Sequence, residues 1–190
     1  MKYDIVLAGV GGQGVLSLAV AIASGAMEEK LYVKQSEVHG MAQRGGAVMS
    51  TLRLSDREIA SDLIPLGTAS MILSMEPMES LRYLPYLSPE GTLITSTNPV
   101  RNIPDYPDLE GLLGHVRSLP RSIVVDAETL AREAGSARAT NMVMVGAATH
   151  LLPIKPETIE EAVRSIFLRK GTRVVEVNLR ALRAGQEAAR

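Results

Sequence analysis

The 190-residue sequence contains no cysteine. Disulfides, a cysteine nucleophile and Cys-ligated iron–sulfur clusters are therefore excluded from this chain. Aromatic residues make up only 3%, so Leu, Val, Ile, Ala and nine methionines must fill the core. Methionine packs adaptably and also lines surfaces that receive partners. Histidine is scarce: His39, His115 and His150 stand far apart and form no metal-ligand spacing. No charge of one sign dominates. A net charge of −1 argues against nucleic acid as the main partner. No apolar run is long enough to span a membrane, and Met1-Lys2-Tyr3 opens no secretory signal. The expectation is a cytoplasmic protein with neither a nucleic-acid nor a membrane partner. No internal repeat, low-complexity tract or long linker divides the chain. Its length and 46% hydrophobic content suit one domain over residues 1–190.

What is present is organised around the first stretch. Tyr3 to Ala8 reads as a strand, with an apolar run at Ile5 to Ala8 that suits burial on both faces. Gly9-Val10-Gly11-Gly12-Gln13-Gly14 follows, then a helix from Val15 to Glu29 with Val15, Leu18, Ala19 and Ile22 on one face. The turn spells G-x-G-x-x-G. Its glycines permit positive φ and a close backbone approach by a ligand. The free N–H groups at the start of the helix favour an anion, most simply a phosphate.

Leu31 to Ser36 reads as a second strand, and the polar, glycine-rich stretch from Glu37 to Gly46 as a loop. Ala47 to Leu54 alternates and predicts a half-exposed strand, turning at Ser55-Asp56 into a hairpin with Arg57 to Ala60. Ala69 to Met75, Gly91 to Ser96 and Ile123 to Asp126 read as further strands. Glu76-Pro77 opens a helix carrying Leu81, Leu84 and Leu87, ended by Pro85 and Pro89. Asn98 to Pro107 is a loop. Short helices are expected at Leu109 to Val116 and Ala127 to Ala134. From Thr140 the pattern is helical throughout, with an all-round apolar helix over Asn141 to Leu152. The fold class expected is α/β: a three-layer α/β/α sandwich with a mixed, mostly parallel Rossmann-like sheet and a helical C-terminal region.

Two loops carry the candidate site. Gly9, Gly11, Gly12, Gln13 and Gly14 form the first; Ser36, Glu37, His39, Gly40, Gln43, Arg44, Gly45 and Gly46 form the second. Both follow strands, so both are expected at one sheet edge, facing one concave site. Arg44 offers a planar fork for a carboxylate or phosphate, and His39 offers proton transfer. The plain alternatives are a tight turn without a ligand and a solvated loop held by a Glu37–Arg44 pair. Asn141 is expected as a helix N-cap and Asn178 as a buried, hydrogen-bonded amide. His115 and His150 are expected to be packing residues. No Ser/His/Asp arrangement or spaced carboxylate pair supports a catalyst acting alone, and no residue is assigned a catalytic or metal-ligating role.

The two loops together resemble the gamma domain of the 2-oxoacid:ferredoxin oxidoreductases, most closely the small (beta) subunit of the indolepyruvate enzymes. The likeness rests on the glycine turn and on Ser36-Glu37-Val38-His39-Gly40-Met41-Ala42-Gln43-Arg44-Gly45-Gly46. It continues through Glu76-Pro77 with Leu81 to Leu84, Asn141, and Asn178 followed by Ala181, and covers nearly the whole chain. The resemblance implies one gamma-type domain over 1–190, within an enzyme that oxidatively decarboxylates an aryl pyruvate. Thiamine diphosphate and iron–sulfur clusters are then expected in a large (alpha) partner subunit, and ferredoxin as electron acceptor. Coenzyme A would receive the acyl group, and the resemblance implies the two loops as the place where it or the substrate would meet this chain. The absence of cysteine and of a Gly-Asp-Gly thiamine signature fits that division. Two other readings stay open. G-x-G-x-x-G with Glu37 near the end of the second strand fits a free-standing NAD(P)- or flavin-dependent oxidoreductase. A binding module with no part in catalysis fits the lack of catalytic constellations.

Overall fold

The computed structural model describes residues 1–39 and 45–190. Its strands are β1 (Lys2–Val10), β2 (Tyr32–His39), β3 (Ala47–Ser55), β4 (Ala69–Ser74), β5 (Leu87–Ser96) and β6 (Ser122–Val125). Its helices are α1 (Val15–Glu28), α2 (Pro77–Arg82), α3 (Leu109–Arg117), α4 (Ala127–Glu133), α5 (Thr140–Thr149), α6 (Pro156–Phe167) and α7 (Thr172–Ala188). The six strands form one sheet in the order β2-β3-β1-β4-β5-β6. Strands β1, β4, β5 and β6 run parallel. Strand β3 is antiparallel to both of its neighbours, β1 and β2. The sheet is mixed, as expected, and the fold is α/β.

The antiparallel element differs from the expected one. The hairpin is β2–β3, not a return through Arg57 to Ala60. The physical reason lies in polar side chains on one face of β2 and β3. Arg53 Nη1 donates to the carbonyls of Ser61 and Leu63, each at 2.8 Å. Thr51 Oγ1 donates to Asp62 O at 3.1 Å, and Lys34 Nζ to Ala60 O at 3.1 Å. These bonds lay residues 57–68 across the face as a covering segment. Thr51 is consequently buried, so β3 is not half-exposed as its alternation suggested. Glu37, Val38 and His39 were expected in a loop; they continue β2 in register with Ser50, Met49 and Val48.

A second difference follows Pro85. Helix α2 ends at Arg82, and Leu84–Tyr86 forms a 3₁₀ turn. Leu87 already belongs to β5, where it pairs with Ala69 before the register shifts to Met71↔Thr92. Pro89 sits inside that irregularity, where its missing N–H removes no ladder bond.

One sheet face packs α1, α4, α5, α6 and α7 around Ile5, Leu7, Leu52, Leu54, Met71 and Leu73. The other face is covered more thinly, by α2, α3 and Ile64 of the covering segment over Val6, Ile72 and Leu93. Helix α5 is central to the thick layer, buried along nearly its whole length. It crosses α7 through two glycines. A Cβ at Gly146 would lie 1.9 Å from Leu182 O, and one at Gly185 1.9 Å from Val143 O. Only hydrogen at both positions allows the two helices to approach this closely. Among the described residues no helix is long and apolar enough to cross a membrane.

Candidate functional site

Strand β1 delivers the chain to Gly9–Gly14 at the carboxyl ends of the parallel strands. Strand order reverses at β1: β2 and β3 lie to one side of it, and the chain then crosses over to β4, β5 and β6 on the other. Open α/β sheets bind ligands at such a switch in strand order.

The turn is a bonded unit rather than a bare loop. Gln13 folds back on it: Val10 N–H donates to Gln13 Oε1 at 2.8 Å, and Gln13 N–H donates to Val10 O at 3.0 Å. Gln13 Nε2 donates to Met75 O at 3.1 Å, fastening the turn to the end of β4. Gly14 caps α1 in the left-handed region, at φ 76°. A Cβ there would stand 2.7 Å from Asn141 Nδ2. Gly12 also has positive φ, and a Cβ built on it would meet nothing within 4 Å, so its free side faces open space.

Asn141 corrects the sequence-based expectation. Residue Ala139 occupies the N-cap of α5. The Asn141 side chain instead reaches across to α1, donating from Nδ2 to Gly14 O at 2.7 Å and Gln13 O at 3.1 Å. It thus uses its carboxamide to clamp the turn. Nothing local in the sequence signals this, since the partners lie at opposite ends of the chain.

The second loop meets the turn through its backbone. Gly11 N–H donates to Gly46 O at 2.8 Å, and Gly45 N–H to Gly11 O at 3.2 Å. Gly45, at φ 76°, also accepts from Asn102 Nδ2. Ser36 and Glu37 lie on β2, and His39 ends it. Gly40, Gln43 and Arg44, with the expected Glu37–Arg44 pair, lie outside the described residues.

Two cavities flank the turn. The larger, about 470 Å³, is lined by Gly12, Gln13, Gly14, Met75, Asn98, Arg138 and Asn141, among others. The smaller, about 130 Å³, lies between the turn, Leu16 and Glu37. Among the described residues of the second loop, Glu37 borders this smaller hollow and none lines the larger cavity. Leu16 and Val20 on α1 are exposed apolar side chains on this side of the molecule.

The far wall of the larger cavity is the 97–108 segment, and a residue that sequence reasoning left out of the site holds it. Glu76 is fully buried. Its Oε2 accepts from Glu79 N–H at 2.8 Å, capping α2. Its Oε1 accepts from Val100 N–H at 3.3 Å and from the Tyr106 hydroxyl. Burial, and then the bond to Glu76, push the Tyr106 hydroxyl well above the ordinary phenol range. An acid directly before a proline at N1 signals the cap; the tie to Tyr106 leaves no signal. Asn98 anchors the same segment to α4: its Oδ1 accepts from Glu128 N–H at 3.0 Å. Asp126 caps α4. Burial raises its pKa, but bonds from Thr129 and Asn98 outweigh that and hold it below the usual carboxylate value.

Three further placements differ from or match the expectations. His115 and His150 are exposed, not packing residues. Asn178 is a buried amide, donating from Nδ2 to Val174 O at 2.8 Å on its own helix. Glu37 stands two strands from β1, because β3 is inserted between them. The dinucleotide fingerprint needs its acid on the strand beside the first, about 5 Å away rather than about 10. That geometry takes away the main support for a free-standing NAD(P) or flavin site.

Residues 4–188 match the family model described as pyruvate ferredoxin/flavodoxin oxidoreductase. The chain is 38% identical over 198 residues to indolepyruvate oxidoreductase subunit IorB of Archaeoglobus fulgidus, covering 100% of this chain and 96% of that protein. Among solved structures, pyruvate oxidoreductase subunit PORC of Thermotoga maritima is similar with a TM-score of 0.76 and 26% identity, over 98% of this chain and 96% of that one. The 2-oxoglutarate:ferredoxin oxidoreductase of Magnetococcus marinus, with 2-oxoglutarate, coenzyme A and succinyl-CoA bound, shares the fold. Its TM-score is 0.78 at 23% identity, over 99% of this chain and 31% of that chain.

Proposed function

Because the chain belongs to the pyruvate ferredoxin/flavodoxin oxidoreductase family along residues 4–188, we propose that it is the small subunit of an indolepyruvate (aryl pyruvate) ferredoxin oxidoreductase. The single observation that carries this reading is its end-to-end likeness to an indolepyruvate oxidoreductase small subunit, with nearly all of both chains aligned. Residues 1–190 then act as one gamma-type domain in the cytoplasm, beside a large (alpha) subunit. Thiamine diphosphate and the iron–sulfur clusters belong to that partner, which supplies the decarboxylation chemistry and passes electrons to ferredoxin. This chain's residues do not fit a Cys-ligated cluster, having no cysteine to offer.

What this chain contributes is a preorganised wall. The larger cavity is bounded by backbone held on every side: by Gln13 to β4, by Asn141 to α5, and by Glu76 to the 97–108 segment. A wall so fixed positions a slender polar ligand without reorganising when it arrives. Arg138 supplies a positive charge at its edge. We assign this cavity to part of coenzyme A or of the 2-oxo acid. The exposed apolar pair Leu16 and Val20, on the helix that follows the turn, suits contact with the large subunit.

The test is co-expression with the large subunit, followed by pull-down and 2-oxo-acid-dependent viologen reduction. A stable complex that prefers indolepyruvate over pyruvate and 2-oxoglutarate is the expected outcome. Failure of the two chains to co-purify would overturn the reading.

A further inference from the structure

A second cavity, of about 420 Å³, lies behind the wall of the first. It opens between the corner that precedes α5 and the first turns of α7. Its volume is in the range of small-molecule sites. Three cations line it, Arg138, Lys170 and Arg173, and none of the lining residues is acidic. Among the described residues none of these three has a carboxylate partner, whereas Arg53, Arg82, Arg132 and Arg183 are each held by one. Three unpaired cations around one hollow raise the local positive potential. The α7 N-terminus, with Gly171 at its cap, points the same sign of dipole toward it.

The interior is built differently from the rim. Phe167 and Val177 give it apolar walls. Lys170 Nζ rests 5.4 Å from the Phe167 ring centroid, which holds the ammonium at the border between apolar wall and rim. Asn178 lines the floor and is only 6% exposed. Its Nδ2 is committed to Val174 O, which leaves the carboxamide oxygen for the cavity as an acceptor. A ligand that satisfies all of these has an anionic group for the rim, a flat apolar body for the walls and an N–H or O–H for Asn178.

We propose that this cavity binds an organic phosphate of nucleotide size, the phosphate lying on Lys170 and Arg173 and the base or sugar reaching Phe167 and Asn178. The site is separate from the glycine-turn cavity, although Arg138 borders both.

The experiment is calorimetric titration of the full chain with adenosine monophosphate, with adenosine and inorganic pyrophosphate as partial probes. Binding of the monophosphate is expected, with adenosine weaker by about tenfold or more, the value of a charge-assisted phosphate contact. The rim double variant Lys170→Gln with Arg173→Gln should weaken the monophosphate by a similar factor. Both positions are exposed, so the fold should survive. Asn141→Ala, at the other cavity, should leave this binding unchanged. No binding at millimolar monophosphate would overturn the proposal. So would a double variant that binds as well as the parent, or pyrophosphate that binds as tightly as the nucleotide. Because the titration uses this chain alone, its failure is distinguishable from failure of the two-subunit reading.

Discussion

Asn141 carries two jobs with one carboxamide, and the cost of losing it is calculable. Its Nδ2 serves Gly14 O and Gln13 O. Removing it in Asn141→Ala takes the donor from the part-buried Gln13 O, while Gly14 O keeps Ser17 N–H at 2.8 Å, so the cost is about 1 kcal/mol. We expect the loss in urea unfolding, together with faster amide exchange at Gly11 to Val15. Gly14→Ala is worse than its size suggests. The position has φ 76°, and the new methyl would meet Asn141 Nδ2 at 2.7 Å, so strain and a broken clamp add together. The glycines themselves are legible in the sequence because their backbone freedom leaves a local pattern. Asn141 is not, because its partners are brought near only by tertiary packing. Glu76 falls between: its cap on α2 is local and readable, while its bonds to Val100 and Tyr106 are long-range. Glu76→Gln replaces an acceptor oxygen with an N–H₂ facing donors, at about 1–3 kcal/mol. Limited proteolysis should then cut the 97–108 segment faster than in the parent.

At the scale of elements, the α5–α7 crossing is the most exacting contact. Each glycine there stands where a methyl would overlap a carbonyl of the other helix. Gly146→Ala must push the helices apart and should cost about 3 kcal/mol, read as a fall in the urea midpoint. A milder pair holds α6 to α7. Arg183 reaches Glu160 through Nε at 3.0 Å and Nη2 at 2.7 Å, and this bond holds the Glu160 carboxyl below its usual value. A lowered carboxylate pKa gives stability that is present above the unfolded value, near 4.3, and is lost as pH falls through the folded one. Unfolding midpoints measured from pH 6 down to 3 should therefore drop less steeply in Glu160→Gln. The pair is partly exposed, so the effect is small. Strand periods and proline positions let the sequence place nearly every element. The errors came where side chains chose between backbone partners. Arg53, Thr51 and Lys34 turned residues 57–68 into a covering segment instead of a strand.

At the scale of the whole molecule, the inserted β3 decides what the glycine turn is for. In a sheet where β2 lay beside β1, Glu37 would end the strand next to the turn; in this sheet it faces the turn only across the smaller cavity. Here β3 separates them, and the turn is bonded instead to Gly45 and Gly46. Pairing the two loops was legible from the sequence as a family likeness. The strand order that joins them was not, since the default of sequential neighbours would set β2, not β3, beside β1. The consequence is a rigid edge with an exposed apolar flank at Leu16 and Val20. Such a flank suits a surface that works against another chain. Substituting Leu16→Glu with Val20→Glu should weaken association with the large subunit at least about tenfold, while circular dichroism of the isolated chain stays unchanged. The most direct measurement is the rate of indolepyruvate-dependent viologen reduction by the purified large subunit as this chain is titrated in. The account predicts negligible rates for either chain alone and a rise to a plateau as the complex saturates. Full activity from the large subunit without this chain would contradict it.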